Sequence, residues 1–203
     1  MTSREKIAFG LGWVAVLLRL ASDSLFPGGG PISYQLLQSA FLALGIAFLW
    51  PNLDAIFLRN GQHQRSIREG LVALPIGLLL GTISAYGRFG APEWPTIGQA
   101  IAPVAYNVFF TALEELEFRG FLLALLLRLG GRVPTAVWLQ ALLHTLAHTQ
   151  RLWHGYLLSL VGTLLITLWF GFLALRTRSL WGPWVGHLSW NVAILLTEFG
   201  NRP

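Results

Sequence analysis

Apolar residues in this chain fall in long blocks broken by short polar punctuation, without the alternation of a half-buried strand or the one-sided stripe of a surface helix. The blocks run over about 7–26, 32–50, 70–87, 100–127, 134–149, 155–175 and 180–197. A membrane-spanning helix needs roughly 20 mainly apolar residues, so most blocks are long enough and 134–149 is short. The breaks have a physical cause. Pro27-Gly28-Gly29-Gly30-Pro31 cannot continue a helix, and Pro51, Gly90-Ala91-Pro92, Gly130-Gly131 and Pro134 end later runs. Within 51–69, Leu53, Ile56 and Phe57 against Arg59, Arg65 and Arg68 predict a polar loop with a short interfacial helix. The pattern therefore predicts an all-α protein, a polytopic transmembrane bundle of about seven spans within a range of six to eight. It forms a single domain over 1–203, with no internal repeat and no separate soluble domain.

Composition sharpens this class. Apolar types make up 54% of the 203 residues and charged types 11%, about half the roughly 25% of a soluble globular protein. The 9 Trp and 13 Phe exclude a disordered chain. The absence of cysteine removes disulfides, thiolate-held zinc and thiol catalysis together. The net charge of +5 resolves into orientation. With the N-terminus inside and seven spans, nine basic residues are cytoplasmic (Arg4, Lys6, Arg59, Arg65, Arg68, Arg128, Arg132, Arg176, Arg178) and three external (Arg88, Arg151, Arg202), while Arg19 and Arg119 lie within spans. That asymmetry predicts an N-in, C-out protein, and it excludes a nucleic-acid partner. Trp50, Trp94, Trp153, Trp181 and Trp184 at span edges fit interfacial belts. Arg19 interrupts the first apolar run and no small-residue cleavage site follows, so the run is expected to be a retained helix rather than a signal peptide. Arg19 itself can snorkel to a surface if its helix is shifted.

Ionisable residues inside the blocks are few and clustered. Besides Arg19 in the first block, the cluster is Glu114, Glu115, Glu117 and Arg119 in the fourth block, His144 and His148 in the fifth, and His187 in the seventh, with the polar Asn191 beside it. Each charge at membrane depth costs at least about 2.5–3.5 kcal/mol on insertion scales, so such residues must face protein or a water-filled cavity. Glu115 and Arg119, at i and i+4, share a helix face and predict an ion pair. Glu114 is left without a local counter-charge, and Glu117 reads as a supporting or interfacial charge. His144 and His148, like His187 and Asn191, are also i,i+4 pairs, so three helices each present a polar stripe, as bundle-core sites do. At about 1.5 Å per residue, Glu114 and His187 fall at similar depths, and His148 ends a helix too short to cross a roughly 30 Å core. The bland alternatives are a packing carboxylate at Glu114, a satisfied cavity histidine at His144, and solvated loop histidines at His63 and His154.

Glu114-Glu115-x-x-x-Arg119, then a helix ending in His148, then His187-x-x-x-Asn191, resembles the CPBP family of intramembrane proteases, the CAAX-processing and Abi proteins. The likeness covers about 98–197 as a catalytic core, while the first 95 residues match only as membrane helices. One departure stands out: His144 occupies a position where that family usually has an aromatic residue. The resemblance implies an intramembrane endopeptidase acting on a membrane-associated protein or peptide, with CAAX-type or C-terminal sorting-tag processing. It implies Glu114 as general base on water, His148 holding that water, and His187 and Asn191 stabilising the oxyanion. Glu115 and Arg119 hold the architecture, with His144 in support. General acid–base and oxyanion chemistry require this set of functions in any case. The family's metalloprotease label leaves zinc open, with Glu114, His148 and His187 as the ligands. A metal-free glutamate mechanism is preferred, because no HExxH is present. The expected setting is a multi-pass plasma-membrane protein of a prokaryote, with lipids and a protein substrate as partners. Two other classes stay open: a small ion- or proton-coupled transporter, and a catalytically silent scaffold or bacteriocin self-immunity protein.

Overall fold

In a computed structural model, the described residues are 1–25, 32–89, 94–148 and 157–198. They form helices and connecting turns, with no strand among them. The helices are α1 (Ser3–Leu25), α2 (Ile32–Leu49), α3 (His63–Gly70), α4 (Ala73–Phe89), α5 (Ile97–Glu115), α6 (Leu123–Arg128), α7 (Val133–Leu146), α8 (Leu157–Thr177) and α9 (Trp181–Glu198). A 3₁₀ turn, Trp50–Ile56, follows α2. The polar stretch 51–69 holds the expected short helix, α3, after the 3₁₀ turn and a non-helical stretch at 57–62. Asp23 lies within α1, and His154 and Arg151 fall outside the described residues.

This is an all-helical membrane protein. Ser33–Ile56, His63–Ile83 and Leu160–Thr177 are long and apolar enough to cross a bilayer by length and composition. Among the described residues, the helices carrying the candidate site, α1, α5, α7 and α9, contribute no such span. Helix α7 is also only 14 residues long, about 21 Å at 1.5 Å per residue. Its end, with His148 in the following turn, stops within a hydrocarbon layer of roughly 30 Å.

Local sequence explains the start of the catalytic half. The Thr96 backbone N–H donates to Gln99 Oε1 at 2.9 Å, a capping box that opens α5. The fourth span does not then run as one α-helix. Leu116–Leu122 is π-helical, and α6 continues beyond it. Every residue from Glu117 to Leu122 is buried there. Such a wide turn changes the helical register and is found mostly as a short insert, often at functional sites.

The other helices pack around this wide turn. Phe121, projecting from it, meets Phe9 of α1 edge-on at 6.1 Å between ring centroids. The ring also fills the space that side chains at Gly12 and Gly45 would need. A Cβ on Gly12 would lie 2.4 Å from Phe121 Cγ, and one on Gly45 would lie 2.8 Å from Phe121 Cζ. The α1–α2 hairpin is thus seated on the π segment by two glycines and one ring. On the opposite side α4 lies along α9. Gly81 there faces Thr197, its Cβ position 2.3 Å from Thr197 Oγ1, the small-residue approach typical of membrane helix pairs. Helix α3 clamps the start of α9, where the Gly182 N–H donates to Ser66 Oγ at 2.9 Å.

Candidate active site

The π segment and three helices bring the ionisable residues together. Glu114 and Glu115 end α5, Arg119 follows in the π segment, His144 and His148 come from α7 and its end, and His187 comes from α9. All six are buried. Helical spacing identified the first pair: Arg119 Nη1 donates to Glu115 Oε1 at 2.8 Å. The same carboxylate oxygen lies 2.7 Å from His187 Nδ1, so Glu115 braces both Arg119 and His187.

Hydrogen-bond chemistry fixes the ring nitrogens. An ionised carboxylate only accepts, so His187 Nδ1 donates to Glu115. This leaves Nε2 facing Glu114 Oε2 at 3.5 Å. His148 Nδ1 lies 3.0 Å from the His144 carbonyl; a carbonyl only accepts, so the lone pair of a neutral His148 is on Nε2. His144 is arranged the other way. Its Nδ1 lies 2.7 Å from Arg119 Nη1, and arginine only donates. The neutral ring therefore carries its proton on Nε2, which lies 3.9 Å from Glu114 Oε2. Its ring stacks on Phe118 at 4.6 Å and on His148 at 5.0 Å, so it takes up the packing place of an aromatic residue.

Asn191 and His187 line one cavity with Arg119, His144, His148 and Trp190. The room for a water's centre in it is about 10 Å³, on the order of one water molecule. The Asn191 amide donates to Asn107 Oδ1 at 3.0 Å. Arg119 Nε and Nη2 are buried without a hydrogen-bond partner among the described residues. These donors suit a water or a substrate oxygen in the cavity.

Two expectations are corrected. Glu114 has a counter-charge after all, supplied from α1: Arg19 Nη2 pairs with Glu114 Oε1. Arg19 therefore does not snorkel to a surface, because a buried carboxylate draws it inward. Glu117 is not interfacial but fully buried, and Gln38 Nε2 of α2 donates to its Oε1. His63 opens α3, with Nδ1 2.8 Å from Ser179 Oγ, and is half-buried. Sequence reasoning missed Gln38, Asn107 and the α8 threonines Thr163 and Thr167, which line the cavity. The clue was available: Thr163 and Thr167 are an i,i+4 polar pair in an apolar run, and Asn107, Thr111 and Glu114 form a stripe at helical spacing.

Glu114, His144 and His148 offer atoms within 4.8 Å of one another, close enough to share a metal ion. Proximity alone would include His144, but its Nδ1 is taken by Arg119 and its Nε2 carries the proton. Lone pairs are presented by Glu114 Oε2, His148 Nε2 and His187 Nε2, and His187 is backed by a carboxylate as metal-bound histidines commonly are. By donor type this mixed nitrogen and oxygen set suits zinc, while the three residues within ligand distance of one another are Glu114, His144 and His148.

The fold and this centre define a class: a helical membrane protein with a buried carboxylate–histidine site beside a water-sized cavity. Residues 96–193 match the family model described as Rce1-like, type II CAAX prenyl endopeptidase Rce1-like. That match, over just under half of the chain, agrees with the resemblance to the CPBP/CAAX protease family. No curated protein and no solved structure matches the chain.

Proposed function

We propose that the protein is a multi-pass intramembrane endopeptidase hydrolysing a peptide bond near the C-terminus of a membrane-associated protein, of CAAX or sorting-tag type. The observation that carries this is Glu114 Oε2, 3.5 Å from His187 Nε2 and grouped with His148, two histidines that line a cavity with room for about one water. The catalytic core spans 98–197 of a single domain of about seven spans, N-terminus inside, in a prokaryotic plasma membrane.

In the metal-free route, Glu114 removes a proton from the water as its oxygen attacks the scissile carbonyl, with His148 Nε2 orienting the water. The oxyanion then accepts from His187, as an imidazolium braced by Glu115, and from the Asn191 amide. The proton held by Glu114 passes to the leaving nitrogen as the C–N bond breaks. Glu115 holds the His187 ring in place, and Arg119 keeps His144 in its tautomer. When zinc is bound, Glu114, His148 and His187 would hold it, and it would supply Lewis-acid polarisation of the carbonyl.

Purified protein in liposomes, with mass spectrometry of new termini, tests the assignment. Glu114→Gln should lower cleavage by about 10²–10⁴-fold, the usual size of a general-base contribution. Equal cleavage by wild type and variant would remove Glu114 as base, whereas cleavage by neither would favour a transporter or a silent scaffold. A chelator that abolishes wild-type cleavage, with zinc restoring it, would select the metal route.

A further inference from the structure

The N-terminal half lies outside the segment that matches the family model, yet α1 reaches the centre. We propose that Arg19 is a positioning residue for Glu114, holding Oε1 so that Oε2 is directed at the histidines. This rests on the reading of Glu114 as base. The two carboxylate oxygens divide the work: Oε1 pairs with Arg19, whereas Oε2 faces His187 Nε2 at 3.5 Å and His144 Nε2 at 3.9 Å. A carboxylate at the end of a three-torsion side chain has no orientation of its own, so a fixed partner on one oxygen sets the direction of the other.

The partner is itself fixed. Val16 and Leu20, on either side of Arg19 along α1, pack with Phe118, Leu122 and Ala147. One turn earlier, Gly12 is pressed on Phe121. Phe118, Phe121 and Leu122 all belong to the π segment that follows Glu114, so α1 is registered against the element that carries the base. The pair is also largely out of solvent, with side-chain exposures of 16% for Arg19 and 8% for Glu114. A desolvated pair tolerates little geometric slack, and lysine does not replace the planar guanidinium at such a site.

The experiment compares wild type, R19K, R19Q and E114Q, full length in liposomes, on a quenched fluorescent peptide with a prenylated C-terminal cysteine motif. Melting temperatures are measured on the same preparations. R19K should lower kcat about tenfold and R19Q about a hundredfold, with KM within about twofold, as expected for a displacement of roughly 1 Å at the reacting group. R19K with wild-type kcat would overturn the proposal, since a merely structural ion pair needs only the charge. That arm decides even if R19Q fails to fold. E114Q separates the two levels. Wild-type rates in E114Q remove the base reading and this proposal with it, whereas an inactive E114Q beside an unimpaired R19K removes only the role of Arg19.

Discussion

His144 shows how one residue can look catalytic and act as a support. It sits within ligand distance of Glu114 and His148, but it spends Nδ1 on Arg119 and its ring face on Phe118. His144→Phe should therefore keep the stacking and lose one charge-assisted hydrogen bond, worth about 1.5–3 kcal/mol of stability. Its kcat/KM should fall by no more than about tenfold, while His148→Ala should lose about 10²-fold or more; steady-state kinetics and thermal melting measure both. Glu115→Gln is the harsher change, because Arg119 and His187 both lean on that carboxylate. Leaving a buried arginine without its counter-ion costs about 3–5 kcal/mol, so the variant should unfold at markedly lower temperature or denaturant. Local spacing made the Glu115–Arg119 pair legible, since residues at i and i+4 meet on any helix. It hid the Arg19–Glu114 pair, whose members stand 95 positions apart and meet only through the packing of α1 on the π segment. Tautomers were equally hidden, because they depend on which atoms a folded neighbour presents.

At the scale of elements, the extents of the first and last helices were readable from apolar blocks and their Pro/Gly breaks. The first block, about 7–26, is α1 (Ser3–Leu25), and the last, about 180–197, is α9 (Trp181–Glu198). The π turn at Leu116–Leu122 was not readable, since no residue there prevents an ordinary α-helix and only the surroundings widen it. Packing at this turn makes the hairpin and the site interdependent. Gly12→Ala would put a methyl carbon 2.4 Å from Phe121 Cγ, and overpacking of this kind costs about 1–3 kcal/mol or more. The variant should melt earlier and lose activity together. Gly12→Ala with Phe121→Ala should recover more activity than the two separate effects imply, a non-additivity expected of residues in contact. Independent, additive losses would mean that the glycine seat does not hold α1.

For the whole molecule, the lack of cysteine offers a direct test of orientation, because any introduced thiol is the sole one. With the N-terminus inside, Trp94→Cys, at an exposed position before α5, should react with an impermeant maleimide in intact cells. Arg59→Cys should react only after permeabilisation, and the reverse pattern would invert the topology. The membrane class was legible because composition integrates over every residue. Among the described residues, the three stretches that meet the length and apolarity of a span, Ser33–Ile56, His63–Ile83 and Leu160–Thr177, lie outside the helices that supply Glu114, His148 and His187. A chain that buries its chemistry in the bilayer thereby weakens the very hydropathy that marks a span.

The seating of α1 on the π segment also bears on biogenesis. Synthesis runs from the N-terminus, so α1 and α2 reach the translocon before Glu114 and Glu117 have been made. Until α5 is inserted, Arg19 and Gln38 have neither of those carboxylates to meet, and a cation at membrane depth costs at least about 2.5–3.5 kcal/mol on insertion scales. The nascent hairpin must therefore linger near the translocon, an insertase or the interface rather than partition fully into lipid. A ribosome-stalled chain ending at residue 89 should then crosslink to the insertion machinery far more than its Arg19→Leu counterpart, and extension past Glu117 should release it.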